Sequence, residues 1–152
     1  MKRWIAAVAV AVAGLAGPAM ASDDIVTVAA ERDVAATADA LQAAVESAGA
    51  RVFARVDHGA GAARVGMELA PAELLIFGNP RLGTPAMVDD ALAGLYLPMR
   101  VLVYRDGAGQ VWLAYEDPAK MLGDLEGIGK DAMYVAKMSG ALKKLTGVAA
   151  GN

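Results

Sequence analysis

A run of four large apolar residues, Leu74-Leu75-Ile76-Phe77, places the strongest constraint on how this chain folds. A strand with one solvated face alternates apolar and polar residues, whereas a strand covered on both faces is apolar throughout. The run therefore predicts a strand that is buried on both faces, at the centre of a sheet. The pair Asn79-Pro80 follows soon after and is typical of a turn.

Four other segments have the composition of strands, and two of them form a hairpin. Arg100–Arg105 (RVLVYR) and Val111–Tyr115 (VWLAY) are separated by Asp106–Gly109 (DGAG), which supplies the positive φ angles of a tight turn. Ile25–Ala30 (IVTVAA) is short and rich in β-branched residues. Arg51–Val56 (RVFARV) alternates, which predicts two distinct faces. The first face would hold Val52, Ala54 and Val56, and the second Arg51, Phe53 and Arg55.

Helix signals fill the segments between these strands. Asp33 is typical of an N-cap, and apolar residues recur behind it at helical spacing. Thr84-Pro85 and Asp117-Pro118 each combine a capping residue with a proline that suits the first helical position. The last helix carries an apolar stripe and is expected to end at Gly147.

The resulting order of elements is β-α-β-(α)-β-α-β-β-α-α, in which the bracketed element is a short helix over the small residues Gly59–Gly66. Strands and helices are mixed along the chain rather than strictly alternating. We therefore predict an α+β fold for residues 22–152, as a single compact domain with a mixed sheet of about five strands packed with helices.

Residues 1–21 have the three parts of a secretory signal peptide. Lys2 and Arg3 give a positive start, Ile5–Gly17 is apolar, and Ala19-Met20-Ala21 offers the small residues that signal peptidase accepts. The apolar part is shorter than the ~20 residues that a membrane-spanning helix needs. We expect cleavage after Ala21 and a periplasmic or secreted mature protein without a membrane anchor; an uncleaved anchor is the alternative. Losing both N-terminal cations makes the mature chain more acidic than the net charge of −3.

The scarcity of reactive side chains excludes several classes of protein. The chain has no cysteine and a single histidine, His58, so disulfides, thiolate zinc sites, iron–sulfur clusters and two-histidine sites within one chain are ruled out. The acidic balance argues against a nucleic-acid partner, because such domains usually carry a basic surface. No serine lies in a nucleophile-elbow motif. We expect no cofactor.

Three stretches together resemble a bacterial and archaeal family known as domain of unknown function 302. They are FARVDHGAGAARVGMEL (53–69), PAELLIFGNPRLGTPAM (71–87) and LPMRVLVYRDGAGQVWLAYEDP (97–118). The chain departs from the family pattern at Arg81, where lysine is common, and at Glu116, where asparagine is common. The resemblance implies a compact α+β fold and a homodimer, and it implies no particular activity.

Polar residues near the strand ends are the candidates for a ligand site: Asp57, His58, Glu73, Asn79 and Thr84. A carboxylate beside His58 would orient its imidazole, although adjacent residues of a strand point to opposite faces. The structural alternative is that His58 caps the following turn or closes a hydrogen bond in the core.

The remaining candidates also have structural alternatives. A carboxylate at Glu73, next to the apolar run, needs solvent or a partner, and Arg55, Arg64 and Arg100 are the available cations. Asn79 and Thr84 surround a turn that leads to a helix start, where exposed N–H groups suit an anion. They equally suit the roles of turn residue and helix cap.

Two functions are compatible with these residues. The first is a non-enzymatic domain that binds a small molecule or a partner, with a pocket where Asp57-His58, Glu73 and the Asn79–Thr84 loop converge. The second is a small hydrolase-like or metal-dependent enzyme in which His58 acts with Asp57 or Glu73. We favour the first because catalytic groups are scarce, and we expect no metal site. The scattered methionines are expected to fill the core.

Overall fold

A five-stranded sheet forms the centre of the computed structural model, which describes residues 24–151. The strands are β1 (Ile25–Ala30), β2 (Arg51–Asp57), β3 (Ala72–Gly78), β4 (Met99–Arg105) and β5 (Val111–Glu116). The helices are α1 (Val34–Ser47), α2 (His58–Arg64), α3 (Pro80–Asp89), α4 (Pro118–Met121) and α5 (Met133–Ala150), with a short 3-10 helix at Ala91–Leu95. The predicted α+β class and five strands are confirmed. The predicted signal peptide, residues 1–21, lies outside the described residues.

The strand order is β1-β5-β4-β3-β2, and every neighbouring pair in it is antiparallel. The sequence predicts a mixed sheet, and this part of the prediction is wrong. A parallel pair needs a connection that crosses back to the other end of the sheet, whereas an antiparallel pair does not. Here α2 and α3 each join two neighbouring strands at the end where the first strand stops, so both connections behave as long hairpin turns.

One face of the sheet packs against α1 and α5 and forms the core. Phe77, Val101 and Leu113 of this face are fully buried, as are Leu41 of α1 and Leu142 of α5. Burying a large apolar side chain contributes about 2 kcal/mol relative to leaving it in water. This shared core fixes the two long helices against the central strands.

The opposite face of the sheet is also apolar, yet none of its strand residues is buried within the described part of the chain. We call it the open face; its central members are Leu74, Ile76, Leu102, Tyr104 and Trp112. The prediction that the apolar run is buried on both sides is therefore wrong. Both long helices pack on the other face, so Leu74 and Ile76 are only half-buried while their neighbours are buried.

A β-bulge at Phe53 interrupts the alternation predicted for β2. Val52 pairs with Phe77 and Ala54 with Ile76, so two steps along β2 match one step along β3, and Phe53 is the extra residue. Val52 and Ala54 therefore lie on opposite faces, contrary to the prediction. The residues after the bulge are likewise turned to the face opposite to the predicted one.

Helix α3 begins earlier than the Thr84-Pro85 signal predicts. The side-chain oxygen of Asn79 accepts the Arg81 N–H at 3.0 Å, and Pro80 takes the first helical position. Pro85 instead lies inside the helix. The pair Asn79-Pro80, which the sequence predicts to be a turn, therefore forms the cap and the first residue of this helix, five residues upstream of Thr84-Pro85.

The other helix ends follow the sequence more closely. Asp33 and Asp117 each accept a backbone N–H at the start of a helix, as predicted. The last helix continues past Gly147 and ends at Ala150, with Gly151 in the left-handed conformation that favours glycine.

Candidate functional site: an apolar pocket at one end of the sheet

The structure divides the five candidate residues between the two ends of the β2–β3 pair. Asp57 and Glu73 face each other in the strand register, with His58 next in the chain. Asn79 and Thr84 follow β3 at its other end. A strand rises about 3.3 Å per residue, so β3 separates the two groups by about 20 Å. The expectation that all five converge on one pocket is therefore wrong.

The Asp57 carboxylate caps the start of α2. Its Oδ1 accepts the Ala60 N–H at 2.8 Å, so this carboxylate provides the N-cap. His58 is the first residue of the helix, and its side chain is exposed, without a hydrogen bond to any residue of 24–151. His58 therefore neither caps the turn nor makes a hydrogen bond in the core.

Glu73 forms an ion pair with Arg55, one of the three partners that the sequence suggests. Arg55 Nε donates to Glu73 Oε2, and its Nη1 donates to Asp39 Oδ1 on α1. The hydrogen bond to Glu73, followed by the one to Asp39, raises the pKa of Arg55 above its ordinary value. Only 14% of the Glu73 side chain is exposed, so the pair shields a carboxylate that would otherwise be costly at this depth.

These contacts leave His58 without an orienting carboxylate. Asp57 accepts from a helix N–H group, and Glu73 accepts from a guanidinium group. Within residues 24–151, no three histidine or acidic side chains lie close enough to hold a metal ion. The hydrogen bonds and the ion pair at this end of the sheet therefore hold the fold together and do not form a catalytic arrangement.

The other end of the sheet contains an apolar pocket of about 340 Å³. It lies where the start of α3 meets the ends of β3 and β4, with α5 behind it. Most of its lining is apolar: Phe53, Leu82, Met87, Leu97, Pro98, Met99 and Met138. Asn79 and Thr84 add polar groups, so two of the five candidate residues line this pocket.

Two glycines shape the pocket. A Cβ atom at Gly78 would lie 3.5 Å from Phe53 Cε2 and 3.5 Å from Pro98 Cβ, and one at Gly83 would lie 3.6 Å from Leu97 Cδ1. A methyl group fits at these distances, which are ordinary van der Waals contacts. A longer side chain at Gly83 would take space from the pocket, because Gly83 is part of its lining.

The apolar lining is the part of the site that the sequence does not identify. Met99 and Met138 are buried, as expected of core methionines, and yet they also form the floor of the pocket. Met87 and Phe53 lie at the rim, with 41% and 49% of their surfaces exposed. The only sequence signal is the large aromatic residue at position 53, on the face of β2 that alternation assigns to Arg51 and Arg55 as well.

The fold is a two-layer α+β domain. Helices cover one face of its antiparallel sheet and leave the other open, and the pocket lies at one end. Residues 26–145 match the model of the family described as "Domain of unknown function DUF302". The chain belongs to this family, which confirms the resemblance found in its sequence.

Curated relatives from Brucella match this chain at 50% identity over 105 residues. They are the "Fluoride-specific ion channel FluC 1" of Brucella suis biovar 1 and the "Fluoride-specific ion channel FluC 2" of Brucella melitensis biotype 1. The match covers 67% of this chain but only 41% and 39% of those proteins. The chain thus spans about two fifths of the length of these relatives, whose name describes the longer proteins.

No helix between residues 24 and 151 has both the length and the apolar character that a membrane span requires. A solved structure with a similar fold is that of an uncharacterized conserved DUF302 protein from Bacillus stearothermophilus. The TM-score is 0.75 over 84% of this chain and 99% of that one. Sequence identity is 17%, so this likeness concerns the fold alone.

Proposed function

We propose that this protein is an exported, non-enzymatic binding domain that takes a small, largely apolar molecule into the pocket beside Asn79 and Thr84. The pocket carries the proposal, because a volume of about 340 Å³ lined by apolar side chains with a few polar groups is typical of small-molecule sites. At about 30 Å³ for each water-sized group, the volume holds about eleven such groups. A medium-length aliphatic molecule such as decanol has this size.

The polar lining is suited to orienting one end of such a ligand. The side-chain oxygen of Asn79 accepts the Arg81 N–H, so its amide N–H₂ group is the part left to donate to a ligand. The Thr84 hydroxyl donates or accepts, and it no longer has the role of helix cap that the sequence suggests. Two adaptable polar groups beside an apolar cavity favour a ligand with a single polar end.

Calorimetric titration with decanol tests the pocket directly. We expect saturable binding with one molecule per chain, and loss of binding in Gly83→Leu, whose side chain would occupy the cavity. Gly61→Leu is the matched control: it is also a helical glycine, but a Cβ there has no heavy atom within 4 Å, and it is not in the pocket. Met87→Trp provides a second block at the exposed rim if Gly83→Leu does not fold.

Two results would contradict binding of a ligand in this pocket. If the folded wild-type protein takes up no decanol, or if both blocked variants bind it as the wild type does, the pocket is not a ligand site. Circular dichroism of each variant establishes that it is folded before binding is compared.

We also propose that the open face binds a second copy of the chain. Leu102, Trp112 and Ile76 lie on this one face of the sheet and are only partly buried, so covering them with a second copy would remove apolar surface from water. The charges on this face favour a second copy: Arg100 pairs with Glu116 at 2.8 Å, so two such faces can meet without the repulsion expected between acidic surfaces. A two-fold arrangement would place the same residues on both sides of the contact.

Light scattering after size-exclusion chromatography distinguishes this proposal from a monomer. The wild type is expected to run as a dimer, and Leu102→Asp, at the centre of the open face, as a monomer. Leu92→Asp is the control, because Leu92 is exposed on the 3-10 helix, away from the strands. A wild type that stays monomeric at high concentration, or a dimer insensitive to Leu102→Asp, contradicts the proposal.

Export is the remaining part of the proposed function, and it follows from the composition of residues 1–21. The full chain, expressed in a bacterium, is expected to yield periplasmic or secreted protein that begins at Ser22. Mass spectrometry of the cell fractions measures this. A full-length chain that retains Met1 and stays in the cytoplasmic fraction would contradict export.

A further inference from the structure

Positive charge lies at the mouth of the apolar pocket, although the whole chain has a net charge of −3. No charged residue is part of the pocket lining. The ring of Phe53 stands at the rim, and the guanidinium carbon of Arg51 is 5.4 Å from the centre of that ring. This distance is typical of a cation–π contact, which holds the charge beside the opening.

A second cation belongs to the same region. Arg81 lies in the first turn of α3, between Pro80 and Leu82, which both line the pocket. Its side chain is exposed, and its backbone N–H is the group that Asn79 caps. Two arginines are therefore neighbours of pocket-lining residues: Arg51 through the Phe53 ring and Arg81 through its place in the first turn of α3.

Neither arginine forms an ion pair with another residue of 24–151. The ion pairs in that part of the chain use Arg55 and Arg100 as their cations. On α3 itself, the acidic residue is Asp89, eight residues beyond Arg81 and so about 12 Å along the helix axis. Asp89 also accepts a hydrogen bond from the Tyr134 hydroxyl. These two cations, close to the pocket lining, are thus available to a negatively charged ligand.

We propose that the pocket binds an amphiphile with one anionic end, of the class of medium-chain carboxylates. This rests on the proposed ligand-binding function and names the chemical class of the ligand. The aliphatic body fills the cavity against Met87, Met99 and Met138, and the carboxylate remains at the mouth beside Arg51 and Arg81. Unbranched methionine side chains adapt readily to a flexible chain.

Decanoate and decanol form a matched pair of probes, because they share the aliphatic chain and differ at the polar end. At neutral pH and low salt, the wild type is expected to bind decanoate more tightly than decanol. Arg51→Ala and Arg81→Ala should each weaken decanoate binding about twofold to fivefold, the range for a solvent-exposed ion pair. Decanol binding should not change, and added salt should weaken only decanoate binding.

Arg105→Ala is the control for net charge. Arg105 ends β4, whereas the pocket residue Met99 begins it, so the strand separates the two by about 20 Å. The substitution removes the same charge as the other two and is expected to leave both affinities unchanged. An equal loss of decanoate affinity in Arg105→Ala would mean that net charge, not the pocket mouth, attracts the probe.

The two levels of the proposal fail in different ways. Equal wild-type affinity for decanol and decanoate, or wild-type decanoate affinity in the Arg51→Ala/Arg81→Ala variant, overturns the anionic class and leaves the pocket as a ligand site. Absence of binding for both probes overturns the pocket itself.

Discussion

Arg55 lies on the same face of the sheet as Glu73 because the β-bulge at Phe53 shifts the register of β2 by one residue. Strict alternation would place Arg55 on the open face, with its guanidinium group away from this carboxylate. The same bulge puts Phe53 at the rim of the apolar pocket. The single bulge residue therefore affects both ends of the β2–β3 pair. It allows the Arg55–Glu73 ion pair to form at one end, and its own ring lines the cavity at the other.

Removing the cation of this pair should destabilise the domain. In Arg55→Met the Glu73 carboxylate, of which 14% is exposed, loses its charged partner while staying in place. We expect the free energy of unfolding to fall by about 2 kcal/mol, less than for a fully buried pair because solvent reaches part of it. Urea denaturation at neutral pH measures the change.

A second ion pair in the same sheet is the matched control. Arg100 and Glu116 are 42% and 44% exposed, so Arg100→Met should cost less than about 1 kcal/mol. Replacing both Arg55 and Glu73 by apolar residues should recover part of the loss, because the carboxylate that then lacks its partner is Asp39, which is 71% exposed to solvent. Equal losses in Arg55→Met and Arg100→Met would show that burial of Glu73 adds nothing.

Local sequence signals predict much of this fold but little of the pocket. The strand composition of Val111–Tyr115 and the cap at Asp33 depend on neighbours in the chain, and the structure confirms both. The apolar run Leu74–Phe77 shows that β3 is an interior strand, but not which elements cover it. That depends on where α1 and α5 pack.

The sequence reveals neither the bulge nor the pocket, and the physical reason is the same for both. Whether position 53 pairs or bulges is decided by the register of β3, which is distant in the chain. The pocket combines residues of β2, α3, β4 and α5, which only tertiary packing brings together. The sequence indicates Asn79 and Thr84 because they are polar and close to a strand end. It indicates His58 for the same reason, although His58 lies at the opposite end of the β2–β3 pair.

Alkaline pH should weaken the link between α5 and α3. The Tyr134 hydroxyl donates to Asp89 Oδ2 at 2.8 Å. Burial, followed by the hydrogen bond and charge of Asp89, raises the pKa of Tyr134 from 10.0 to about 12. Because the unfolded chain loses this proton first, the stabilising contribution is complete below pH 10 and is lost as the pH rises towards 12.

The ultraviolet absorbance of tyrosinate tests this directly. The difference between the wild type and Tyr134→Phe isolates one phenol, which should ionise well above the ordinary pH for tyrosine. Stability of Tyr134→Phe should also depend less on pH in the alkaline range. A difference titration centred at the ordinary tyrosine pKa would contradict the assignment.

At Gly127, in the loop before α5, the backbone lies very close to the backbone of Asp89. A Cβ atom there would lie 2.3 Å from the Asp89 carbonyl oxygen, and the Gly127 N–H donates to Asp90 Oδ2 at 3.3 Å. We expect Gly127→Ala to lower the free energy of unfolding by about 1–3 kcal/mol, the usual range for overpacking. Gly129→Ala, with open space around its Cβ, should be close to neutral by the same denaturation measurement. Equal stability of the two variants would mean that the loop moves aside without cost.

Gly83 should show a conflict between stability and ligand binding. It lies inside α3, where alanine is favoured over glycine by about 0.5–1 kcal/mol, and its added methyl would meet Leu97 Cδ1 at 3.6 Å. Gly83→Ala is therefore expected to raise the melting temperature while reducing decanol affinity, because the methyl takes space from the cavity. Gly140→Ala in α5, a position with open space and outside the pocket, should raise stability with no change in affinity. Thermal melting and calorimetric titration of both variants test this prediction. It is wrong if Gly83→Ala binds decanol as tightly as Gly140→Ala.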